Sequence, residues 1–456
     1  MMKRISLLLV SVGVLVAMGA QARQVLHDGN YQATYDRLEE FIDNIKVVNT
    51  HEHQRIPLYN ADEKVTFYSF LSGSYLSGSL RLAGAGPDIS SWVKVGKYLD
   101  FSRNTSTYDC MIEGFRILYG FEERYFTEKN IDQLNKKISE NYARFDQWYD
   151  EAFEKAGYEV MLNDQWWKMF ESSVDSKHHA LVFHTDGLAG WVVNRGGYEN
   201  PDSRMDCNPY AQVKKEGVKI SSLDDYLEFA DGQFRRFVEH GAVCAKAAAA
   251  YERSIFFEQV EKEEAAKLYN SFLKGGELSP AEEKKVQDFM YHFVADKCAE
   301  YDLPLQIHTG LLAGGGNLDR TEPQLLEPFI AAHRDTKMVL FHGGVSWYAQ
   351  TAVLAASHPN VYVDIVGLPG VSRTMAAIGL HECLDTAPYN KIFAGGGDCR
   401  SIEESAGVTE YNRSLVAQVL AERVVSGRMT EEVAQDVAIA MFRGNAISVY
   451  NLKLDE

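Results

Sequence analysis

The chain is 456 residues long and 46% hydrophobic, with 64 acidic against 46 basic side chains and a formal net charge of −18 at pH 7. That balance argues against a nucleic-acid or anionic-membrane surface, because binding phosphate backbones needs basic patches. The six cysteines, at 110, 207, 244, 298, 383 and 399, form no C-x-x-C pair, which excludes a zinc knuckle and a dense disulfide scaffold but leaves one or two disulfides open.

At the start of the chain Lys3 and Arg4 precede the apolar run ISLLLVSVGVLVAMGA, and Ala20-Gln21-Ala22 closes it. This is the pattern of a secretory signal over residues 1–22, with the mature chain beginning at Arg23. The run has 16 residues, whereas a comfortable membrane span needs about 20. The sequence therefore predicts an exported protein, periplasmic or secreted, with no stable membrane anchor after cleavage.

Short apolar runs then alternate with longer amphipathic stretches. The runs are IKVVNTHEH (45–53), YEVMLND (158–164), HALVFHTD (179–186), AVCAKAAAA (242–250), LPLQIHTG (303–310), KMVLFHGG (337–344), NVYVDIVG (360–367) and KIFAGGGDCR (391–400). Helix signals separate several of them. Ser279, Pro280 and Glu282 form an N-cap, a first-turn proline and a capping-box partner, and Gly241 stops the amphipathic stretch that begins at Leu223. Eight strands in this rhythm predict an α/β fold, a (β/α)8 barrel occupying residues 23–456, although a doubly wound open sheet gives similar local signals. Two stretches exceed a minimal barrel. Residues 54–157 form a helical, aromatic-rich insertion after the first strand, and residues 187–217 read as a long loop after the third. Both follow C-terminal strand ends, where barrel enzymes keep their sites, so they are expected to wall and cover a pocket. An interface in a homo-oligomer is the alternative.

Polar residues at strand ends carry the chemistry. His51 and His53 stand at alternate positions and point to one side if the strand runs that far. His308 ends the fifth strand, His342 the sixth and Asp398 the eighth. Imidazoles and a carboxylate gathered over one end of a barrel suit a divalent metal such as zinc, manganese or iron. Gly395, Gly396 and Gly397 are expected to leave room for substrate or cofactor to approach the backbone.

H-x-H after strand one, IHTG after strand five, FHGG after strand six and GGGDCR after strand eight together resemble the amidohydrolase superfamily, especially its amidohydrolase-related (family 2) branch. The C-terminal segment, ending NAISVYNL, is similar to that branch's closing helices. QIHTGLLAGGGNLD and GDCRS also resemble uronate isomerases of the same superfamily.

The resemblance implies a mononuclear site with His51, His53, His308 and Asp398 as ligands, and zinc as the metal expected first. His342 would then orient or polarise the substrate, or bind a second ion. Such a metal lowers the pKa of water towards about 7, and the adjacent Asp398 carboxylate takes the proton as general base. Lys246 corresponds to a position that in binuclear members is a bridging carbamate; a substrate-contacting ammonium and a structural ion pair stay open beside that role. Arg253 and Arg400 are candidates to hold a substrate carboxylate through paired hydrogen bonds. The implied reaction is metal-dependent hydrolysis of a C–O or C–N bond in a small carboxylate-bearing molecule, such as a lactone or amide. Uronate isomerase-like isomerisation of a sugar acid and non-oxidative decarboxylation are the alternatives. His184 ends strand three at the pocket edge, and the remaining histidines receive no role.

Overall fold

The computed structural model describes residues 29–54, 64–204 and 206–454. The signal expected over residues 1–22 lies outside the described residues. All eight strands form where the apolar runs predict them. They are β1 (Val47–Glu52), β2 (Tyr158–Asp164), β3 (His179–His184), β4 (Ala242–Ala247), β5 (Leu305–Ile307), β6 (Met338–Leu340), β7 (Val361–Asp364) and β8 (Ile392–Phe393). They pair in parallel, each with its sequence neighbour. That order makes a nearly closed (β/α)8 barrel and excludes the doubly wound sheet.

The segment after β8 closes the seam against β1. Asp398 N donates to His51 O at 2.9 Å, and His53 N donates to Cys399 O at 2.8 Å. A Cβ on Gly395 would lie 2.3 Å from Val48 O, and one on Gly397 would lie 2.2 Å from Glu52 Oε1. The glycines before Asp398 therefore let two parts of the chain approach each other, which corrects the expectation that they make room for a ligand.

Inside the barrel, Val48, Leu162, Val182, Cys244, Val339 and Phe393 form an apolar layer, and Ala446, Val449 and Tyr450 of the C-terminal segment pack against it. The alternate strand residues, such as Met161, Phe183, Ala245 and Ile307, pack outward into the larger core. Because side chains alternate along a strand, Asp164, His184 and Lys246, two positions beyond Leu162, Val182 and Cys244, point toward the barrel mouth, where they line the cavity.

Among the described residues, six helices lie between β1 and β2: Phe67–Gly73, Tyr75–Leu82, Trp92–Ser102, Ser106–Tyr119, Glu128–Tyr142 and Phe145–Lys155. The stretch after β3, expected to be loop, instead contains the helices Asp186–Ala189, Arg195–Glu199 and Pro209–Glu216. Asn194 and Asn208 cap the last two by accepting from backbone N–H groups. Helix Pro280–Glu300 carries the predicted capping box at Ser279. All six cysteines are buried and free, so the disulfides left open by the sequence are not formed. No described helix is long and apolar enough to cross a membrane.

Candidate metal centre

His51, His53 and Asp398 meet at the barrel mouth, with one donor atom from each lying within 4.8 Å of the others. Asp398 Oδ1 is 3.1 Å from His53 Nε2 and 3.7 Å from His51 Nε2. The far side of each ring is held. His51 Nδ1 lies 3.0 Å from Gln306 Oε1, and His53 Nδ1 lies 2.8 Å from the carbonyl of Asp164. Both partners are oxygen acceptors, so each Nδ1 carries a hydrogen and each Nε2 faces Asp398. Held acceptors behind the rings are how metal-binding histidines are oriented. Gln306 is itself anchored, its Nε2 donating to Thr50 O and to the Tyr450 hydroxyl.

Burial pushes the His51 imidazole well below its ordinary pKa, with the Lys246 charge acting in the same direction. The ring is neutral, as a ligand must be. Burial opposes ionisation of Asp398, but the His53 hydrogen bond and the nearby His342 outweigh it and hold the carboxyl well below its usual range. Two imidazoles, the buried His51 among them neutral, facing an ionised carboxylate fit a divalent metal in donor type.

His308 stands apart from this triad. Its Nδ1 is 3.0 Å from His342 Nε2, and its Nε2 is 2.6 Å from Leu311 O. His342 Nδ1 in turn lies 2.8 Å from Val366 O. Burial lowers the pKa of both rings. Two neutral imidazoles have two protons for these three contacts, so one contact lacks its hydrogen. His342 and Asp398 both sit in the left-handed region, with φ of 61° and 62°. Non-glycine residues seldom adopt it, and they do so most often where a side chain must be aimed.

Lys246, on β4, is buried, and its ammonium lies 3.7 Å from the centroid of the Phe341 ring. Burial lowers its pKa to about 8 despite the pull of Asp164 and Asp398. It forms no ion pair among the described residues, so the structural ion pair is the one of its open roles that the geometry does not supply. Arg253 is bound to the buried carboxylate of Asp288 and to Gln287 Oε1 at 3.2 Å. Its guanidinium therefore has protein partners at the cavity wall. Arg400 has no ion pair or hydrogen bond among the described residues, and stands 5.7 Å from the Trp166 ring centroid.

The sequence reading places His184 at the pocket edge without a role and misses Asp164 and Tyr75. Asp164 and His184 are buried, with both Asp164 oxygens 3.0 Å from His184 Nδ1 and Asp186 Oδ2 3.2 Å from its Nε2. Burial opposes the charge on His184, yet Asp164 and Asp186 together raise its pKa to about 10. A signal for both was available, since they stand two residues beyond the inward-facing Leu162 and Val182, as Lys246 does beyond Cys244. Tyr75 comes from the insertion, and its hydroxyl donates to Asp398 Oδ2. No spacing could reveal that contact, because it depends on how the insertion docks. These groups surround a cavity of about 1360 Å³ whose walls include His51, His53, Lys246, His308 and Asp398.

A parallel barrel that gathers imidazoles and a carboxylate above its strand ends has the architecture of metal-dependent barrel enzymes. Residues 179–394, from β3 through β8, match the model of the family described as Amidohydrolase, which bears out the resemblance carried by the motifs. Over 259 residues the chain is 25% identical to Protein fluG of Emericella nidulans, a match covering 53% of this chain and 30% of that much longer protein. The fold is similar to that of a uronate isomerase from Thermotoga maritima, with a TM-score of 0.76, 16% identity and coverage of 92% of this chain and 97% of the other. It is also similar to a protein from Lactobacillus casei described as a metal-dependent hydrolase, with a TM-score of 0.62, 17% identity and coverage of 91% and 97%.

Proposed function

We propose that the chain is a metal-dependent hydrolase acting on a C–O or C–N bond of a small carboxylate-bearing molecule. The observation that carries this reading is the opposed set of His51 Nε2, His53 Nε2 and Asp398 Oδ1, with both imidazoles held from behind. These three side chains, joined by His308 after a change in its present contacts, would hold one divalent ion, zinc before manganese or iron. When bound, such an ion supplies a Lewis acid that polarises a carbonyl and acidifies water.

The chain's own groups do the rest. Asp398 Oδ2 is the basic atom, and the Tyr75 hydroxyl touching it is a route by which a proton leaves the carboxyl. His342, held through Nδ1 by Val366 O, borders the small space beyond Asp398 and orients the reacting group. Arg400 binds the substrate carboxylate.

A second reading, isomerisation of a sugar acid, is favoured by one contact, that of Tyr75 with Asp398. A phenol touching a carboxylate is a pair that can take up a proton at one carbon and return it at the next. Metal analysis of the purified protein, combined with turnover assays on aldonolactones, amides, uronates and aromatic carboxylates, separates the readings. We expect close to one ion per chain and hydrolysis of a lactone or amide. Two ions lost together in Lys246→Ala would identify a bridged binuclear site instead, and turnover of uronates alone would favour isomerisation.

A further inference from the structure

The cavity is far larger than a single small acid requires, and its arginines are disposed unusually. Arg81, Arg204, Arg253, Arg320 and Arg400 all line it. They come from separate segments: the insertion, the stretch after β3, the turn after β4, the loop after β5 and the segment after β8. Only Arg253 forms an ion pair among the described residues, with Asp288. Elsewhere, arginines such as Arg37, Arg144 and Arg443 have carboxylate partners. In a chain with 64 acidic and 46 basic side chains, partners are plentiful. Four guanidiniums without a carboxylate partner among the described residues thus share one cavity, whose lining also includes Asp186, Glu252, Glu283 and Glu404.

Two of the four lie against indole rings. The Arg204 guanidinium lies 4.5 Å from the centroid of the Trp191 ring, and that of Arg400 lies 5.7 Å from Trp166. A guanidinium drawn to an indole face by the ring quadrupole can still present its N–H groups to an oxyanion. The acids nearest to them are poor competitors. Burial raises the pKa of Glu404, the acid beside Arg400, to about 8, and burial together with Asp186 raises that of Glu252, beside Arg204.

We propose that the substrate is an elongated molecule with at least two anionic groups, carboxylate or phosphate, one held by Arg400 near the metal ligands and the second by Arg204 on its Trp191 platform. The inference deepens the proposed function and rests on it for the location of the reacting bond. The anion sites themselves need neither metal nor turnover. Arg81 and Arg320 extend the cationic wall, the latter making only a contact of 3.5 Å with the carbonyl of Glu252.

The test is equilibrium binding by calorimetry, with metal-loaded and chelator-stripped protein. The probes are galacturonate with one carboxylate, digalacturonate with two, a hexose bisphosphate with two phosphates, and a neutral disaccharide. A second charge-assisted contact should make at least one doubly charged probe bind roughly tenfold or more tightly than galacturonate. Whether that probe is digalacturonate or the bisphosphate identifies the source of the anions. Arg204→Gln should abolish that advantage while leaving galacturonate affinity and metal content unchanged, whereas Arg400→Gln should weaken both acids. Arg204→Lys should restore part of the advantage, which a loss of loop structure would not allow. Equal affinity for all three anionic probes, tight binding of the neutral disaccharide, or an unchanged ratio in Arg204→Gln would overturn the proposal. If the stripped protein keeps the preference but no hydrolysis is found with metal, the anion sites stand and the hydrolytic reading fails.

Discussion

Asp398 has two oxygens with different neighbours. Oδ1 faces the His51 and His53 imidazoles, and Oδ2 accepts the Tyr75 hydroxyl. One side chain is thus asked to be ligand and base together. Asp398→Asn separates the roles, because asparagine keeps an oxygen for the metal and tolerates the left-handed φ of 62°, but cannot take a proton. The expected outcome is partial retention of metal with a rate at least roughly 10²-fold lower, the usual consequence of losing a general base. His51→Ala, by contrast, should lose the metal itself. Metal analysis and steady-state rates on the same preparations check both, and an Asp398→Asn protein that holds metal and turns over at the parent rate would remove Asp398 as the base.

At the scale of elements, the site depends on the seam between β1 and the segment after β8. β8 pairs with β7 over only two positions, Ile392 and Phe393, so Asp398 is placed less by its strand than by the backbone bonds of residues 398 and 399 to β1. Those bonds require close approach. A Cβ on Gly395 meets Val48 O at 2.3 Å, a contact with backbone that cannot rotate away. Gly395→Ala should therefore cost about 1–3 kcal/mol, the range for overpacking a filled core, and should lower metal affinity because it pries the Asp398 segment from the two histidines. Urea denaturation and metal titration of the variant read the two effects. An alanine variant as stable as the parent would show that the seam is looser than these distances imply.

Across the whole molecule, buried ionisable groups shift in both directions: Glu52, Glu403 and Glu404 are raised and His184 is raised by its carboxylate partners, whereas Lys246 is lowered to about 8 and the His51, His308 and His342 imidazoles are lowered. Burial raises Glu52 and Glu404 to about 8 and Glu403 to about 7, from an ordinary 4.5. Each keeps its proton in the folded chain at pH values where the unfolded chain has released it. Above pH 4.5 the native state therefore binds more protons, and stability falls as pH rises. His184 acts in the same direction. Raised from 6.5 to about 10, it contributes fully below 6.5 and loses that contribution as pH climbs through its folded value. Asp164 and Asp398 are shifted down, so their contributions are complete above 3.8 and do not oppose the trend. The lowered histidines act the other way below about pH 6.5 and Lys246 above about pH 8, so the urea midpoint of metal-free protein should decline between about pH 6.5 and about pH 8. A midpoint that rises over that window would mean these glutamates are ionised in the native state.

Periodicity alone was enough to read the eight strands, because a strand buried on both faces must be apolar over its length whatever surrounds it. The same logic located His51, His53, His308, His342 and Asp398, since a polar residue closing such a run has to lie at the barrel mouth. It places His184 at the pocket edge, and the same two-residue spacing, above Leu162, also marks Asp164. Tertiary structure alone decided the rest. Arg253 met Asp288 rather than the open cavity, three glycines served the β1 seam rather than a ligand, and Tyr75 reached Asp398 from an insertion whose docking no local pattern encodes. The physical reason is common to all three. Alternation along a strand is a property of neighbouring residues, whereas these contacts join positions tens to hundreds of residues apart, and only the closed barrel brings them within bonding distance.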